Sequence, residues 1–336
     1  MEKQFIPNIL NSLGVKMDII FRNPKKALDN FNTGGRASVY QGDYLKLIKY
    51  IPDNSIDLVF SSPPYCIGKA YESTKEITDF ISSHEMIFSE LVRILKPGGS
   101  ICWQVGMHVK DGISTPLDAL VYAESLKHPS LKLRNRIIWT FGHGLHCTNR
   151  FSGRHETIMW FTKGDNYVFN LDDVRVKQKY PGKTYSKGAN KGQPSGNPLG
   201  KNPGDVWNIP NVKANHVEKT QHPCQFPVAL PQIFIRALVP RNGVIFDPFS
   251  GSGTTAVASL VENRIFIGSE LCSEYNKMAY DRITSALNGS PKIRPWDKEV
   301  AVPNDNQKVA KIPDGYGQPE RIMDSLVQSL TYTFQP

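Results

Sequence analysis

The chain has 336 residues, 40% of them apolar and 21% charged, which is typical of a soluble globular protein that can bury a sizeable core. Lysines and arginines number 40 against 31 aspartates and glutamates, and the net charge of +9 indicates a polyanionic partner. Five scattered cysteines without C-x-x-C spacing argue against a disulfide framework or a zinc site, so we predict no metal. The N-terminus lacks the apolar core of a signal peptide and no apolar run could span a bilayer, so a cytoplasmic protein without membrane contact is expected.

The first half of the chain alternates predicted strands and helices, after a lead-in at residues 1–37 that holds one short helix. Apolar residues at helical spacing over 84–95 are followed by Lys96-Pro97-Gly98-Gly99, which stops a helix, and then by an apolar strand. Strand, helix and strand in this order predict a parallel βαβ unit. The predicted strands cover 38–43, 56–62, 100–105, 134–141 and 157–163, and two further helices cover 44–48 and 116–126.

The composition changes at residues 174–220, which are rich in Gly, Pro, Asn and Lys and contain only Asp205 and Glu218 as acids. Such a loop-rich basic insertion is either a nucleic-acid-facing surface or a solvated flexible loop, and composition alone leaves both open. Aromatic residues are available there for stacking on bases or for packing. The candidate nucleic-acid contacts in it are Lys177, Lys179, Lys183, Lys187, Lys191 and Lys201, and the aromatic residues are Tyr180, Tyr185 and Trp207.

Two apolar runs in the second half each end in an acid, Asp247 and Glu270. A Gly-rich turn and a helix lie between them, which is the order of a Rossmann-like half. Gly251 and Gly253 let the backbone approach a ligand at the helix start, and Glu270 is placed to accept hydrogen bonds from a ribose diol. The turn consists of Pro248, Phe249, Ser250, Gly251, Ser252, Gly253, Thr254 and Thr255.

The Gly-rich turn does not match the common nucleotide motifs. It is not G-x-G-x-x-G, and no lysine follows it, which argues against a dinucleotide and against a P-loop. An acid at each strand end fits a cationic nucleoside better, and S-adenosylmethionine has an ammonium group, a ribose diol and no phosphate. A Gly-rich turn without any ligand is the remaining alternative.

The strand at 56–62 ends in Ser62-Pro63-Pro64-Tyr65. The prolines fix φ and donate no hydrogen bonds, so the loop presents a hydroxyl and carbonyl acceptors in a set geometry beside an aromatic ring. That geometry suits a flat group bearing an amine. A proline-stiffened turn after a strand is equally consistent with these residues alone.

Taken together, Asp247–Thr255 and Ser62–Tyr65 resemble the motifs of amino-methyltransferases that modify exocyclic amines of DNA bases. Because the Ser-Pro-Pro-Tyr motif precedes a basic region and the Gly-rich motif comes last, residues 38–287 resemble the circularly permuted beta group of that family. The resemblance implies an α/β class I S-adenosylmethionine-dependent methyltransferase fold, a Rossmann-like, doubly wound, mostly parallel sheet. The predicted organisation is a lead-in (1–37), a catalytic half (38–173), a target-recognition region (174–220), a cofactor-binding half (221–287) and a peripheral tail (288–336) with a late amphipathic stretch (Ile322, Leu326, Leu330).

The resemblance also assigns roles to individual residues. Those implied to bind the cofactor are Asp43, Phe226, Pro227, Glu270 and the nine residues from Asp247 to Thr255, with Phe226 and Pro227 closing over the methionine moiety. Ser62, Pro63, Pro64 and Tyr65 are implied to be catalytic. Residues Phe151 to Glu156 match a loop that often approaches the target base in this family. Arg154 and His155 of this loop join the six lysines as implied DNA contacts; otherwise His155 is a surface or packing histidine.

The implied mechanism follows from the weak nucleophilicity of an exocyclic amine. Ser62 Oγ and the Pro63 carbonyl would accept its two N–H bonds and localise the nitrogen lone pair, while Tyr65 would stack on the base. The base must leave the duplex to reach them. In this family serine at the first motif position goes with N4 of cytosine more often, and aspartate with N6 of adenine, so cytosine is expected.

We therefore expect a sequence-specific DNA N4-cytosine methyltransferase acting on double-stranded DNA. It would be one half of a restriction–modification system, with a cognate restriction endonuclease that acts on the same site without forming a stable complex. The nearest alternative is the same reaction on N6 of adenine. Alternatives of other classes are a non-catalytic DNA-binding regulator that retains the cofactor fold and, less favoured, a nucleotide-dependent oxidoreductase.

Overall fold

The computed structural model describes residues 18–66, 76–142, 144, 146–300 and 306. The chain divides into two units, Met1–Lys298 and Glu299–Pro336, and every element named below lies in the first. The amphipathic stretch predicted around Ile322 to Leu330 lies outside the described residues. Among the residues described, no helix combines the length and hydropathy needed to cross a bilayer.

The sheet of the first unit has nine strands in the order β1-β2-β11-β10-β3-β4-β8-β7-β9, and β5 and β6 form a separate hairpin. The strands are β1 Ile20–Phe21, β2 Ala37–Gln41, β3 Ile56–Ser61, β4 Leu95–Val105, β5 Met107–Lys110, β6 Ile113–Pro116, β7 Leu131–Thr140, β8 His155–Lys163, β9 Val206–Asn208, β10 Val244–Asp247 and β11 Ile265–Glu270. The helices are α1 Pro24–Asn32, α2 Tyr44–Ile48, α3 Ile77–Ile94, α4 Leu117–Ser125, α5 Ala229–Leu238, α6 Thr254–Val261 and α7 Ser273–Leu287.

Strands β1, β2, β11, β10, β3 and β4 run parallel. Strand β8 is antiparallel to both of its neighbours, β4 and β7, and β9 runs parallel to β7. The pairing of β10 with β3 joins Ile245 to Leu58 and Phe246 to Val59. The strand that ends at Asp247 and the strand that ends beside Ser62 are therefore neighbours. Their carboxyl ends therefore open onto the same edge of the sheet, where doubly wound folds bind ligands.

Helices cover both faces of the sheet, and the strands alternate between the two cores. In β3, Leu58 and Phe60 face the core formed with α5, α6 and α7, whereas Val59 faces the core formed with α1, α2, α3 and α4. Each face is apolar because a parallel sheet covered by helices on both sides leaves neither face to water. Burying each Leu or Phe side chain contributes roughly 1.5–3 kcal/mol.

The helix and strand around Pro97 differ from the prediction. Helix α3 begins at Ile77, ends at Ile94, and is followed directly by β4 rather than by a separate turn. The residues Lys96 to Gly99 form an irregularity within the pairing of β4 with β3, whose register shifts between Ile56 and Leu58. Gly98 has a φ of 78°, which a glycine tolerates, so the segment is accommodated in the strand instead of ending it.

The lead-in and the basic region also take a larger part in the fold than expected. In the lead-in, β1 extends the sheet beside β2. In the basic region, β9 pairs with β7, while Ile209 and Val212 are buried and Trp207 lies 4.9 Å from the Phe234 ring. Buried residues of 206–212 thus tie the second part of the region to the core. The six lysines of 177–201 stay exposed, as do Lys213 and Lys219.

The beginning of the predicted peripheral tail packs on the core as well. Ile293 and Trp296 are partly buried against it, and Arg236 lies over the Trp296 ring at 5.3 Å. The Arg294 amide donates to Glu218 Oε1 at 3.0 Å. Residues 288–296 therefore close one side of the core rather than trailing from it.

Candidate active site

Two loops meet at the carboxyl ends of β3 and β10. The hydroxyl of Ser61, the last residue of β3, donates to Asp247 Oδ1, the last residue of β10, at 2.5 Å. Both side chains are buried. This bond fixes the start of the Ser62–Tyr65 loop to the start of the Gly-rich loop.

Three groups of the chain donate hydrogen bonds to the Asp247 carboxylate. Besides Ser61, the Phe249 amide donates to Oδ1 at 3.0 Å and the Thr255 hydroxyl donates to Oδ2 at 2.6 Å. Burial raises the pKa of Asp247 to about 6, although these three hydrogen bonds favour the ionised form. Only 1% of Asp247 is exposed, so it holds the two loops together rather than offering a free oxygen to a cationic ligand.

The Gly-rich loop turns around two glycines with positive φ, 53° at Gly251 and 75° at Gly253. A Cβ on Gly253 would lie 3.0 Å from the Ala279 Cβ in α7. Any residue other than glycine at position 253 would therefore push the loop away from α7. Arg282 of α7 donates to the hydroxyls of Ser252 and Thr254 at 3.0 and 2.8 Å. These two predicted cofactor residues therefore anchor the loop to α7.

Glu270 ends β11 directly opposite this loop. The Gly251 amide donates to Oε2 and the Cys272 amide donates to Oε1, both at 2.8 Å. The Gly42 amide donates to the Glu270 carbonyl at 3.0 Å, which brings Asp43 to the same edge, where its carboxylate caps α2 through the Leu45 amide. Burial raises the pKa of Glu270. Each carboxylate oxygen keeps a second lone pair that can accept from a hydroxyl.

One polar atom in the Gly-rich loop lacks a partner. Ser250 Oγ is buried and makes no hydrogen bond, which is uncommon for a native polar group and fits a loop that receives a polar ligand. The Phe249 ring lies beside it, 5.0 Å from Tyr44 and 6.2 Å from Trp103. A polar, nucleoside-like cofactor therefore fits the donor and acceptor set of this edge.

The Ser62–Tyr65 loop is held by a chain of hydrogen bonds. Ser62 Oγ lies 3.2 Å from Tyr65 Oη, and the Tyr65 hydroxyl donates to Glu156 Oε2 at 3.2 Å. Gln104 Nε2 donates to the same Glu156 oxygen at 2.6 Å. Burial raises the pKa of Glu156 and, together with the Glu156 charge, raises the pKa of Tyr65 well above its ordinary value, so Tyr65 keeps its proton.

Comparisons with known proteins decide the family. The DNA methylase family matches residues 56–281. The Type II methyltransferase M.BglII of Bacillus subtilis is 45% identical over 256 residues, 75% of this chain and 69% of its own. The chain belongs to the N6/N4 DNA methylase family. S-adenosylmethionine is the cofactor of this family.

Two further proteins show the similarity in sequence and in fold. The DNA adenine methyltransferase YhdJ of Escherichia coli (strain K12) is 30% identical over 258 residues, 75% of this chain and 84% of its own. The solved PvuII DNA methyltransferase (cytosine-N4-specific) covers 76% of this chain and 93% of its own, with a TM-score of 0.59 and 22% identity. The methylase thus has the class I S-adenosylmethionine-dependent methyltransferase fold.

Phe226 and Pro227 precede α5 and lie beneath the same edge. The Phe226 ring is 5.6 Å from Phe60 of β3, and Pro227 is buried. The structure thus places Phe226 against β3, two residues before Ser62, with Pro227 next to it in the chain. Their predicted closure over the methionine moiety stays a prediction.

The sequence assigned no role to three polar residues of this site: Ser61, Gln104 and Glu156, the last of which ends the loop matched at 151–156. Ser61 lies directly before the Ser-Pro-Pro-Tyr motif, and Glu156 directly after His155. His155 is exposed and Glu156 is half-buried, as the alternation of a strand requires. That alternation in β8 could have favoured Glu156 as the inward residue. Gln104 Oε1, buried beside Glu156, has no hydrogen-bond partner.

The candidate DNA contacts of the methylase lie at the surface. All six predicted lysines are exposed, on a segment closed by the bridges Val176–Lys201 and Thr184–Pro194. Arg154 is half-buried, and its Nη1 donates to the Gly153 carbonyl at 2.9 Å. In the ranges given above, no three His, Cys, Asp or Glu side chains are grouped as metal ligands would be.

Proposed function

We propose that this methylase transfers the methyl group of S-adenosylmethionine to N4 of a cytosine flipped out of double-stranded DNA. The observation that carries the proposal is the buried bond between Ser61 and Asp247, which joins the Ser-Pro-Pro-Tyr loop to the Gly-rich loop at neighbouring strand ends. A base held by the first loop and a cofactor held by the second would meet across one crevice. The protein would then contribute chiefly alignment and electrostatics.

The cofactor supplies an electrophilic methyl group on a sulfonium. In this proposal Glu270 accepts hydrogen bonds from the ribose hydroxyls, since its oxygens face the loop and keep free lone pairs. Ser250 Oγ, buried and unpartnered, bonds a polar group of the same molecule. Phe226 and Pro227 cover the methionine end, and Asp43 lies at the neighbouring strand end.

The hydrogen-bond chain from Ser62 to Glu156 determines where the Ser62 lone pairs point. Tyr65 has one hydroxyl proton, and it goes to Glu156. In the hydrogen bond between Ser62 and Tyr65, the Ser62 hydroxyl is then the donor and Tyr65 Oη the acceptor. The lone pairs of Ser62 Oγ are left to accept a hydrogen bond from the target amine. With the Pro63 carbonyl as second acceptor, the amine nitrogen becomes tetrahedral and its lone pair is freed for attack.

The identity of the base rests on Ser62. A neutral serine at the first position of this motif goes with cytosine more often, as described above, and this chain has serine there. Adenine N6 is the second candidate, because the methylase is 30% identical to a protein named as a DNA adenine methyltransferase.

DNA binding is assigned to the exposed basic segment and to the loop before β8. The six lysines of 177–201 would neutralise phosphates, while Arg154 and His155 lie next to Glu156 and hence to the base site. Because M.BglII is named as a Type II methyltransferase, we further propose protection of host DNA against a cognate restriction endonuclease. That nuclease would act on the same site without a stable complex.

The test is transfer of labelled methyl from S-adenosylmethionine to unmethylated phage DNA. Wild-type protein should label the DNA, and Ser62→Ala and Tyr65→Ala should each lower kcat by about 100-fold or more, since both contact the reacting base. Ser82→Ala, at an exposed serine of α3, is the matched control and should keep full activity. DNA binding without any transfer would contradict the proposal and support the non-catalytic regulator.

A further inference from the structure

Phe151 is the most exposed large apolar side chain in the part of the chain that the structure describes. Its exposed fraction is 98%, against 73% for Leu271 and 72% for Ile113, which come next. A phenylalanine gains nothing from full hydration, and a large aromatic ring held in water usually marks a contact surface. Within the described residues, Phe151 belongs to neither of the two hydrophobic cores.

The loop that carries Phe151 is the connection between β7 and β8, and it rises from the edge that holds the active site. The Phe141 amide donates to the Arg154 carbonyl at 3.0 Å, which continues the hairpin beyond the two strands. The Cys147 amide donates to Ser152 Oγ at 3.0 Å, so residues 148–151 form a tip closed by this bond. The ring of Phe151 is thus presented outward at the end of a hairpin.

The tip is close in the chain to Glu156, which contacts the catalytic loop. Glu156, which accepts the Tyr65 hydroxyl, follows Phe151 by five residues, and five extended residues span at most about 17 Å. Arg150 is exposed next to Phe151, and Arg154 lies at the base of the tip. An aromatic ring flanked by two guanidinium groups suits a bent or opened duplex, whose phosphates attract the arginines while the ring meets the bases.

We propose that Phe151 inserts into the DNA base stack at the position that the flipped target base vacates. Removing a base from the duplex costs its pairing and stacking, and an apolar side chain in the gap restores part of the stacking. This proposal rests on the proposed function, because only an enzyme that reacts with a base amine inside a duplex needs the gap. Phe151 is accordingly assigned to opening the duplex and not to the chemistry.

The experiment uses the full-length chain and two synthetic duplexes that carry the methylated site identified with wild-type protein. In one duplex the target base is paired, and in the other it faces an abasic position, where flipping costs little. Phe151→Ala should lower kcat/KM on the paired duplex by about tenfold or more and change it by less than about twofold on the abasic duplex. Phe151→Trp should keep most of the activity on both.

Leu126→Ala is the control, because Leu126 is 66% exposed and lies beyond α4, at the opposite edge of the sheet from Glu156. It should leave both rates unchanged, and the unfolding temperature of Phe151→Ala should equal that of wild type. Equal losses on both duplexes, or no loss on the paired one, would overturn the assignment of Phe151. Failure of wild-type protein to methylate any duplex would instead overturn the proposed function.

Discussion

Ser61 and Asp247 are 186 positions apart in the chain and share a buried hydrogen bond of 2.5 Å. Ser61 precedes the Ser-Pro-Pro-Tyr motif and Asp247 opens the Gly-rich motif. Together with the pairing of β10 and β3, this contact fixes the spacing of the two motifs, which lie far apart in the chain.

Ser61→Ala should uncouple the two loops. Loss of a hydrogen bond to a buried carboxylate should lower the free energy of unfolding by about 2 kcal/mol, and the looser Gly-rich loop should weaken S-adenosylmethionine binding at least about fivefold. Calorimetric titration and urea unfolding measure the two effects. Ser100→Ala, at a buried serine of β4 that accepts from Trp160, should lose stability but bind the cofactor as wild type does. Unchanged cofactor affinity in Ser61→Ala would contradict the coupling.

Glu156 should act through Tyr65, which a double-mutant cycle on kcat can test. Tyr65→Phe and Glu156→Gln should each reduce kcat by about tenfold or more, and the double variant should be no worse than the poorer single variant, a coupling of roughly 1–2 kcal/mol. The KM for S-adenosylmethionine should change little, because neither side chain bonds the Gly-rich loop. Glu85→Gln, at an exposed acid paired with Lys127, is the control. Additive losses would show that Glu156 has a separate role.

The two acids of the basic region should differ sharply in their contribution to stability. Glu218 is buried, accepts from the Val228 and Arg294 amides at 2.8 and 3.0 Å, and lies 3.9 Å from the half-buried Arg282. Glu218→Ala leaves that guanidinium without its carboxylate and should cost about 3–5 kcal/mol of unfolding free energy. Asp205→Ala, at an exposed acid, should stay within about 0.5 kcal/mol of wild type. Similar small effects at both positions would rule out a structural role for Glu218.

Asp247 should give the protein a characteristic acid response. Its pKa in the folded state, about 6, is above the ordinary value of 3.8, so the folded state binds this proton more tightly than the unfolded state. The contribution to stability is then complete below pH 3.8 and is lost as the pH rises through 6. Relative to Asp247→Asn, wild type should gain about 1 kcal/mol of unfolding free energy between pH 7 and pH 5. A difference that is constant, or larger at pH 7, would contradict the raised pKa.

Local patterns predicted much of the framework. The runs ending at Asp247 and Glu270 are strands as expected, because short apolar runs and Gly-rich turns are encoded within a few residues. The prediction of a separate turn at Pro97 was wrong. The segment belongs to β4, and its irregular pairing depends on the contact with β3 rather than on its own sequence.

The site was predictable where residues belong to a contiguous motif and not where partners are distant. Gln104, Glu156 and Glu218 acquire their surroundings from elements far away in the chain, so their neighbours could not be inferred from local composition. Glu218 looked like one acid among many lysines, yet tertiary packing buries it against α5 and α7. Long-range polar contacts of this kind have no periodic signal in a single sequence.

The most direct measurement is the identity of the methylated nucleoside. Wild-type protein would be incubated with duplex DNA and S-adenosylmethionine carrying a deuterated methyl group, and the digested DNA would be analysed by mass spectrometry. Labelled N4-methylcytosine, absent with Ser62→Ala, is the predicted product. Labelled N6-methyladenine would contradict the assignment of cytosine to the Ser62 loop while leaving the methylase fold and family intact.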